Sequence, residues 1–198
     1  MKQRGNIRLA SHNSATGEPI YDKCDFFALF AKPFAQCQTK TLAEQYKAGV
    51  RLFDLRVRWH EYTYLCAHGL VLYDKTIYGA LHDLQKAHNA AQDNTQCYVM
   101  VTYEGKLEEI DYEDFIEDVK SVFAYFPHLT LVKVAVKLPT WKTIYTKPRL
   151  GNQAAFVCDY PKLIGWKALL PIPWLWKRWQ KYTPSNRLFG KFSMRDFV

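Results

Sequence analysis

Segments with a strand-like pattern and segments with a helix-like pattern alternate along this 198-residue chain. In Val50–Trp59, apolar residues occupy every other position and charged residues lie between them, which is the period of a half-buried strand. Strands that alternate with helices are expected to be parallel and to be joined by helical crossovers. The predicted strands are Ile7–His12, Val50–Trp59, Tyr62–His68, Tyr98–Glu104, Leu129–Val136, Ala154–Asp159 and Phe192–Val198.

Three helices are predicted between these strands. They begin at a capping box formed by Thr41 and Glu44, at Ile77 and at Asp111. An eight-stranded (β/α) barrel usually takes about 250 residues, and this chain is shorter. We therefore expect one α/β domain over residues 1–198, a compact TIM-type barrel that is distorted or incomplete in its second half.

The composition excludes several classes of protein and leaves a preference for anionic partners. Apolar residues make up 48% and charged residues 23%, which excludes a disordered chain, a collagen repeat and a coiled coil. The net charge of +8 points to phosphate esters, an acidic membrane surface or nucleic acid. The five cysteines lack CxxC spacing and are expected to be buried free thiols. No apolar run approaches the ~20 residues that span a bilayer, and basic residues near the start argue against a signal peptide.

Titratable side chains are predicted at the ends of four consecutive strands. These are His12, the pair Asp54 and Arg56, His68, and Glu104. In a barrel the carboxyl ends of the strands meet at one mouth, where barrel enzymes have their active sites. A pair of histidines can act as base and acid in one step, and arginine binds phosphate with a two-pronged fork. Each histidine alone is more simply a hydrogen-bonded structural residue. The set of five favours phosphodiester cleavage.

Three segments in order resemble the motifs of phosphatidylinositol-specific phospholipase C, the X-domain family. They are Leu9–Thr16 (LASHNSAT), Thr41–Arg56 (TLAEQYKAGVRLFDLR) and Ala67–Gly69 (AHG). These motifs cover residues 7–104, and a weaker match at KPRLG, from Lys147, extends the resemblance to about residue 159. The resemblance implies a distorted TIM barrel and a phosphodiesterase with a phosphoinositide or related phospholipid as substrate.

The resemblance also implies a role for each matched residue. His12 matches the general base that deprotonates the inositol 2-hydroxyl, and His68 matches the general acid that protonates the departing diacylglycerol oxygen. The first product is a cyclic phosphodiester. Arg56 matches the arginine that stabilises charge on the phosphorus, and Asp54 matches a carboxylate beside it. Asp196, near the end of the chain, matches a carboxylate that orients His12.

Arg56 bears on the question of a metal cofactor. Members of the family that bind calcium use an Asn after the base, two acidic residues on the second strand and a Glu on the fourth. Asn13, Asp54 and Glu104 fit that set, but Arg56 occupies the remaining position, where its charge would repel calcium. We expect no metal, with Glu104 paired to Arg56 and with Asn13, Arg56 and Glu104 around the phosphate. If calcium binds, its ligands are Asn13, Asp54 and Glu104.

A tryptophan-rich stretch follows the matched region. It contains Trp174 and Trp176 beside Lys177 and Arg178. Trp favours the membrane interface and Lys or Arg favour anionic lipid, so this stretch is a candidate for membrane contact. Packing of the same tryptophans in the core remains the alternative. A monomer at the surface of an anionic membrane or in the cytoplasm, with no nucleic-acid partner, is expected.

Two other functions remain open from the sequence. A metal-dependent glycerophosphodiesterase or sphingomyelinase D-type barrel also uses two histidines, but it needs a Glu-x-Asp pair where this chain has Asp54 and Arg56. A non-catalytic basic module that binds lipid is the other. Bacterial members that cleave inositol lipids usually have a basic residue at the position of Asp159 and an inositol-contacting Asp-x-Tyr further on. Neither is evident here, so the headgroup is undefined.

Overall fold

The fold is described from a computed structural model of the chain. The structure describes residues 8–11, 13–23, 31–32, 35–92, 94–105, 110–137, 143–144 and 192–195. Within them, the strands are β1 (Arg8–Ser11), β2 (Val50–His60), β3 (Thr63–His68), β4 (Val71–Thr76), β5 (Cys97–Tyr103), β6 (Leu129–Lys137), β7 (Thr143–Ile144) and β8 (Phe192–Arg195). The helices are α1 (Leu42–Lys47), α2 (Ile77–Ala91) and α3 (Tyr112–Phe123), and a 3-10 turn covers Ser14–Gly17.

All eight described strands belong to one mixed sheet. The parallel part has the order β8-β1-β2-β5-β6. Helix α1 lies between β1 and β2, and α3 lies between β5 and β6, as expected for crossovers between parallel strands. The prediction of an α/β fold is therefore confirmed. Among the described strands the sheet is open, because no pairing joins β6 or β7 to β8.

The prediction of parallel pairing is wrong for β3, and β4 was not predicted. β3 pairs antiparallel with the outer half of β2, and β4 pairs antiparallel with β3. The cause is the two-residue turn at Glu61 and Tyr62, whose φ angles are 41° and 73°. Two positive φ angles match the hairpin turn that returns a strand directly against its neighbour. β3, which ends in His68, therefore runs opposite to β1, β2 and β5, the strands that carry or precede the other described site residues.

The helix starts follow the predicted side-chain caps. Thr41 and Glu44 form the capping box of α1, with the Thr41 N–H donating to Glu44 Oε2 over 2.8 Å. Asp111 accepts the backbone N–H of Glu113 over 2.7 Å at the start of α3. These caps depend on residues three positions apart or fewer, which is why the sequence alone identifies them.

The two faces of β2 have different surroundings. Phe53, Leu55 and Val57 lie in the main hydrophobic core with the helices. Leu52, on the opposite face, belongs to a much smaller apolar cluster with Ala10. Beyond Leu52, this second face carries charged residues, as the alternation of Val50–Trp59 predicted. The sheet therefore has one apolar face and one face that supports a polar site.

The described cysteines are free and buried, as predicted, at positions 37, 66 and 97. Burial raises the pKa of the Cys66 thiol to about 12, so this thiol stays protonated and unreactive at neutral pH. In the described part of the chain, no helix is both long and apolar enough to cross a membrane.

The aromatic packing of α3 generates a prediction about stability. Phe115 is fully buried and meets the rings of Tyr64 and Tyr103 edge to face. Phe115→Ala is expected to lower the free energy of unfolding by about 3–5 kcal/mol, because it removes a buried ring and leaves a cavity. Urea denaturation measures this loss. Tyr125→Ala is the control, since Tyr125 is 72% exposed and its removal is expected to cost less than about 0.5 kcal/mol. Equal losses in the two variants would contradict this account of the core.

Candidate active site

Asp54 and Arg56 lie in the middle of β2, and the prediction that they end their strand is wrong. β2 continues to His60 because its outer half pairs with β3 in the hairpin. On the other edge of β2, Arg56 is opposite Thr102, close to the end of β5. The two residues therefore lie near the level where the parallel strand β5 ends, although β2 itself extends further.

Arg56 is bound by two carboxylates. Its Nε donates to Asp54 Oδ2 over 3.4 Å, and its Nη1 donates to Glu104 Oε1. The side chains are 14% exposed for Arg56, 4% for Asp54 and 3% for Glu104. Buried charges of this kind need partners, since removal from water costs several kcal/mol per ion. The predicted pairing of Glu104 with Arg56 is therefore present, and Arg56 compensates both carboxylates.

Asn13 joins this cluster through its backbone and its side chain. Its φ of 44° is in the left-handed region, which Asn tolerates better than most residues, and it precedes the 3-10 turn. Its carbonyl accepts the Thr16 hydroxyl over 2.8 Å, and its N–H donates to Asp54 Oδ2 over 3.4 Å. The turn after β1 therefore brings the buried Asn13 against β2.

His68, at the end of β3, faces Asn13 and the segment before α1 that contains Ala35. Its Nδ1 lies 2.6 Å from the carbonyl oxygen of Ala35. A carbonyl oxygen only accepts, so Nδ1 carries a hydrogen and Nε2 is the acceptor in the neutral ring. The Asn13 Nδ2 lies 3.1 Å from Nε2 and 3.2 Å from Nδ1, and in the neutral ring Nε2 is the nitrogen that can accept from it. The bond to Ala35 therefore fixes the tautomer of the neutral ring, with the hydrogen on Nδ1.

Sequence reasoning missed two groups in this cluster. The Ala35 carbonyl holds the ring of His68, and Cys37 Sγ lies 3.3 Å from Asn13 Nδ2 and 3.9 Å from His68 Nδ1. Neither residue belongs to a motif or to a periodic segment, and a backbone carbonyl leaves no trace in residue identity. The fold alone brings this segment to the site.

The structure brings together five of the predicted site residues. They are Asn13, Asp54, Arg56, His68 and Glu104. The others lie outside the described residues. These are His12, Asp196, Trp174, Trp176, Lys177 and Arg178.

The donor set also bears on a metal. The carboxylates of Asp54 and Glu104, which would be two of the calcium ligands, both bind the guanidinium of Arg56. In the described ranges no group of three or more His, Cys, Asp or Glu side chains is placed to hold a metal ion, a set of residue types that leaves out Asn13. The carboxylates of Asp54 and Glu104 therefore fit the guanidinium of Arg56 better than they fit a calcium ion.

The buried pairing of Arg56 generates a second prediction about stability. Arg56→Gln leaves two buried carboxylates without their cation, so a loss of about 3–5 kcal/mol in the free energy of unfolding is expected. Arg56→Lys keeps the charge and is expected to lose less. Lys23→Gln is the control, because Lys23 and Glu61 form an exposed pair 4.0 Å apart that contributes little. Chemical denaturation compares the three variants. A loss no larger in Arg56→Gln than in Lys23→Gln would show that Arg56 is not needed by the carboxylates.

Comparison with protein-family models gives no match, and neither does comparison with the sequences of curated proteins. Comparison with solved structures gives several. The phosphatidylinositol-specific phospholipase C of Listeria monocytogenes has a TM-score of 0.59 at 13% identity, covering 97% of this chain and 88% of that chain.

Two structures of the Staphylococcus aureus enzyme are also similar. A double mutant has a TM-score of 0.50 at 18% identity, covering 70% of this chain and 50% of that chain. A structure from work on the membrane binding of that enzyme has a TM-score of 0.46 at 22% identity, covering 62% and 38%. The matched part thus spans half or less of those two chains. The resemblance seen in the motifs is confirmed by the Listeria structure, and the chain has the fold of the bacterial phosphatidylinositol-specific phospholipases C.

Proposed function

We propose that this chain is a phospholipase C-like phosphodiesterase that cleaves a phosphoinositide-type phosphodiester through a cyclic phosphate. The observation that carries the proposal is the cluster of Asn13, Asp54, Arg56, His68 and Glu104 in a chain with this fold. His68, which can transfer a proton, and the partly exposed Arg56 are linked through Asn13 and Asp54. Cleavage of a phosphate diester requires a proton-transfer group and a cation of this kind.

The proposed reaction has two proton transfers. His12 removes the proton of the inositol 2-hydroxyl, whose oxygen attacks the neighbouring phosphorus. The guanidinium of Arg56 stabilises the negative charge that grows on the phosphoryl oxygens. His68, in its imidazolium form, gives the Nε2 proton to the departing glycerol oxygen. In the second step His68 takes a proton from water, whose oxygen attacks the phosphorus, and His12 returns a proton to the inositol 2-oxygen. Asp196 orients His12 in both steps.

The environment of His68 supports the role of general acid. Its Nδ1 hydrogen is directed to the Ala35 carbonyl over 2.6 Å, which fixes the orientation of the ring, and Asn13 Nδ2 lies beside both ring nitrogens. A fixed ring orientation places the transferable proton in one direction, and orientation of this kind contributes strongly to rate.

We also propose that the chemistry proceeds without a metal. The positive charge of Arg56 already compensates Asp54 and Glu104, the residues that would hold calcium with Asn13. Arg56 provides the positive charge that stabilises the transition state, so no cation from solution is needed.

Two further proposals concern the closure of the barrel and the binding of the chain to membranes. The last described strand, β8, is parallel to the first, β1, and pairing of first with last strand is how a barrel closes. We infer a closed, distorted barrel on this ground. We also propose that the chain is a monomer that binds anionic membrane through Trp174, Trp176, Lys177 and Arg178, since aromatic and basic residues favour that surface.

The histidines give the direct test of this function. His12→Ala and His68→Ala are each expected to lower the cleavage of phosphatidylinositol by about a hundredfold or more, since each removes a proton-transfer group. Phosphorus NMR of a phospholipid panel measures the rate and identifies the cyclic phosphate. His82→Ala, on an exposed part of α2, is the control and is expected to keep full activity.

The same experiment separates the other functions. Products without a cyclic phosphate would indicate a sphingomyelinase D-type or glycerophosphodiesterase-type reaction. Lipid binding without cleavage would indicate the non-catalytic module. Full activity in either histidine variant would rule out the proposed mechanism.

A chelator tests the role of metal. Cleavage is expected to continue at an unchanged rate in excess EDTA, because Arg56 provides the cationic group. The rate is measured by phosphorus NMR before and after the chelator is added, and again with excess calcium. Loss of activity in EDTA and its return with calcium would instead assign Asn13, Asp54 and Glu104 as calcium ligands.

A further inference from the structure

Arg58, two residues beyond Arg56 on the same face of β2, has no role in the reaction described above. Its guanidinium is bound to backbone groups from two separate segments. Nε and Nη2 donate to the Glu104 carbonyl oxygen over 3.2 and 3.1 Å, and Nη2 also donates to the Gly69 carbonyl oxygen. Arg58 thus links the end of β5 to the turn that follows His68.

Gly69 is held from both sides. While Arg58 binds its carbonyl, its N–H donates to Glu104 Oε2 over 3.2 Å. Its φ of +59° is in the left-handed region that glycine adopts without strain, and it begins the two-residue turn between β3 and β4. Arg58 and Glu104 together therefore fix the peptide groups on both sides of this turn residue, directly beside His68.

The same contacts reach the arginine proposed to bind phosphate. Glu104 binds Arg56 through Oε1 and Gly69 through Oε2, and its N–H donates to the Val57 carbonyl over 2.8 Å. Arg58 adds the hold on the Glu104 carbonyl. A continuous path of hydrogen bonds therefore runs from Arg56 through Glu104 to Gly69, and Arg58 braces it at both Glu104 and Gly69.

We propose that Arg58 is a positioning residue that sets His68 relative to Arg56. The inference rests on the proposed function, in which His68 protonates the leaving group while Arg56 binds the phosphate. His68 and Arg56 are on different strands, and a displacement of about 1 Å between catalytic groups can cost on the order of a hundredfold in rate. The side chain of Glu104 spans that gap, and Arg58 holds the backbone at both Glu104 and Gly69.

Two substrates separate positioning from simple stabilisation of the fold. One is an inositol phosphodiester with an alkyl alcohol as leaving group, which needs a proton from His68. The other has p-nitrophenol as leaving group, which departs as an anion and needs little help from a general acid. A misplaced His68 lowers cleavage of the first far more than cleavage of the second. A variant that is merely less folded lowers both equally.

Arg58→Gln is the test variant. The ratio of kcat/KM for the alkyl substrate to that for the aryl substrate is expected to fall about tenfold or more, and Arg58→Lys is expected to recover part of it through one donor. Arg51→Gln is the matched control, since Arg51 is also half-buried on β2 and its Nη1 donates to the carbonyls of Tyr46 and Val50. The control ratio is expected to equal that of the unaltered chain.

An NMR measurement gives a readout that is independent of activity. Arg58→Gln removes the hydrogen bond to the Gly69 carbonyl, so the turn is expected to open more readily. The Gly69 amide, which donates to Glu104, is then expected to exchange about tenfold faster, and the ring resonances of His68 are expected to shift. Both are expected to stay unchanged in Arg51→Gln.

The outcomes are distinct. An unchanged ratio, whether both rates fall equally or neither changes, would overturn the positioning role. Failure of both Arg58 variants to fold would overturn it as well. If the unaltered chain cleaves neither substrate, the proposed function fails. The NMR measurement then decides alone, because unchanged Gly69 and His68 signals would overturn the link between Arg58 and His68 and shifted signals would support it.

Discussion

The rest of the site depends on the guanidinium of Arg56 lying between the carboxylates of Asp54 and Glu104. The three side chains come from β2 and from the residue that follows β5, and all are largely removed from solvent. Without the cation, two like charges would face each other in a region of low dielectric. With it, Glu104 can direct its second oxygen to Gly69, and Asp54 can accept the N–H of Asn13. One pairing therefore orders both sides of the site.

β2 makes that pairing possible because its two halves have different neighbours. Its first half pairs with β1, its outer half pairs with β3, and β5 follows much of its other edge. The turn after β1 brings Asn13, the hairpin brings His68, and the end of β5 brings Glu104. The long strand is thus the common reference for groups that are up to 91 positions apart in the chain, from Asn13 to Glu104.

How far the sequence predicts the structure depends on the range of the interactions involved. The caps at Thr41 and Asp111 and the alternation in β2 depend on near neighbours, and they were predicted correctly. The turn at Glu61 and Tyr62 was not predicted, because neither residue is a glycine or an asparagine, the residues that usually adopt a positive φ. The motifs indicated His68 and Arg56, but the contribution of Ala35 and Cys37 arises only from tertiary packing.

The bond from His68 to Ala35 has an evolutionary consequence. The acceptor is a backbone carbonyl, which every amino acid possesses. No single substitution at position 35 deletes that acceptor, whereas a carboxylate in the same place would be lost by one change of codon. The acceptor that orients the His68 ring is therefore protected against substitution at position 35, and it is lost only if the backbone path of that segment changes.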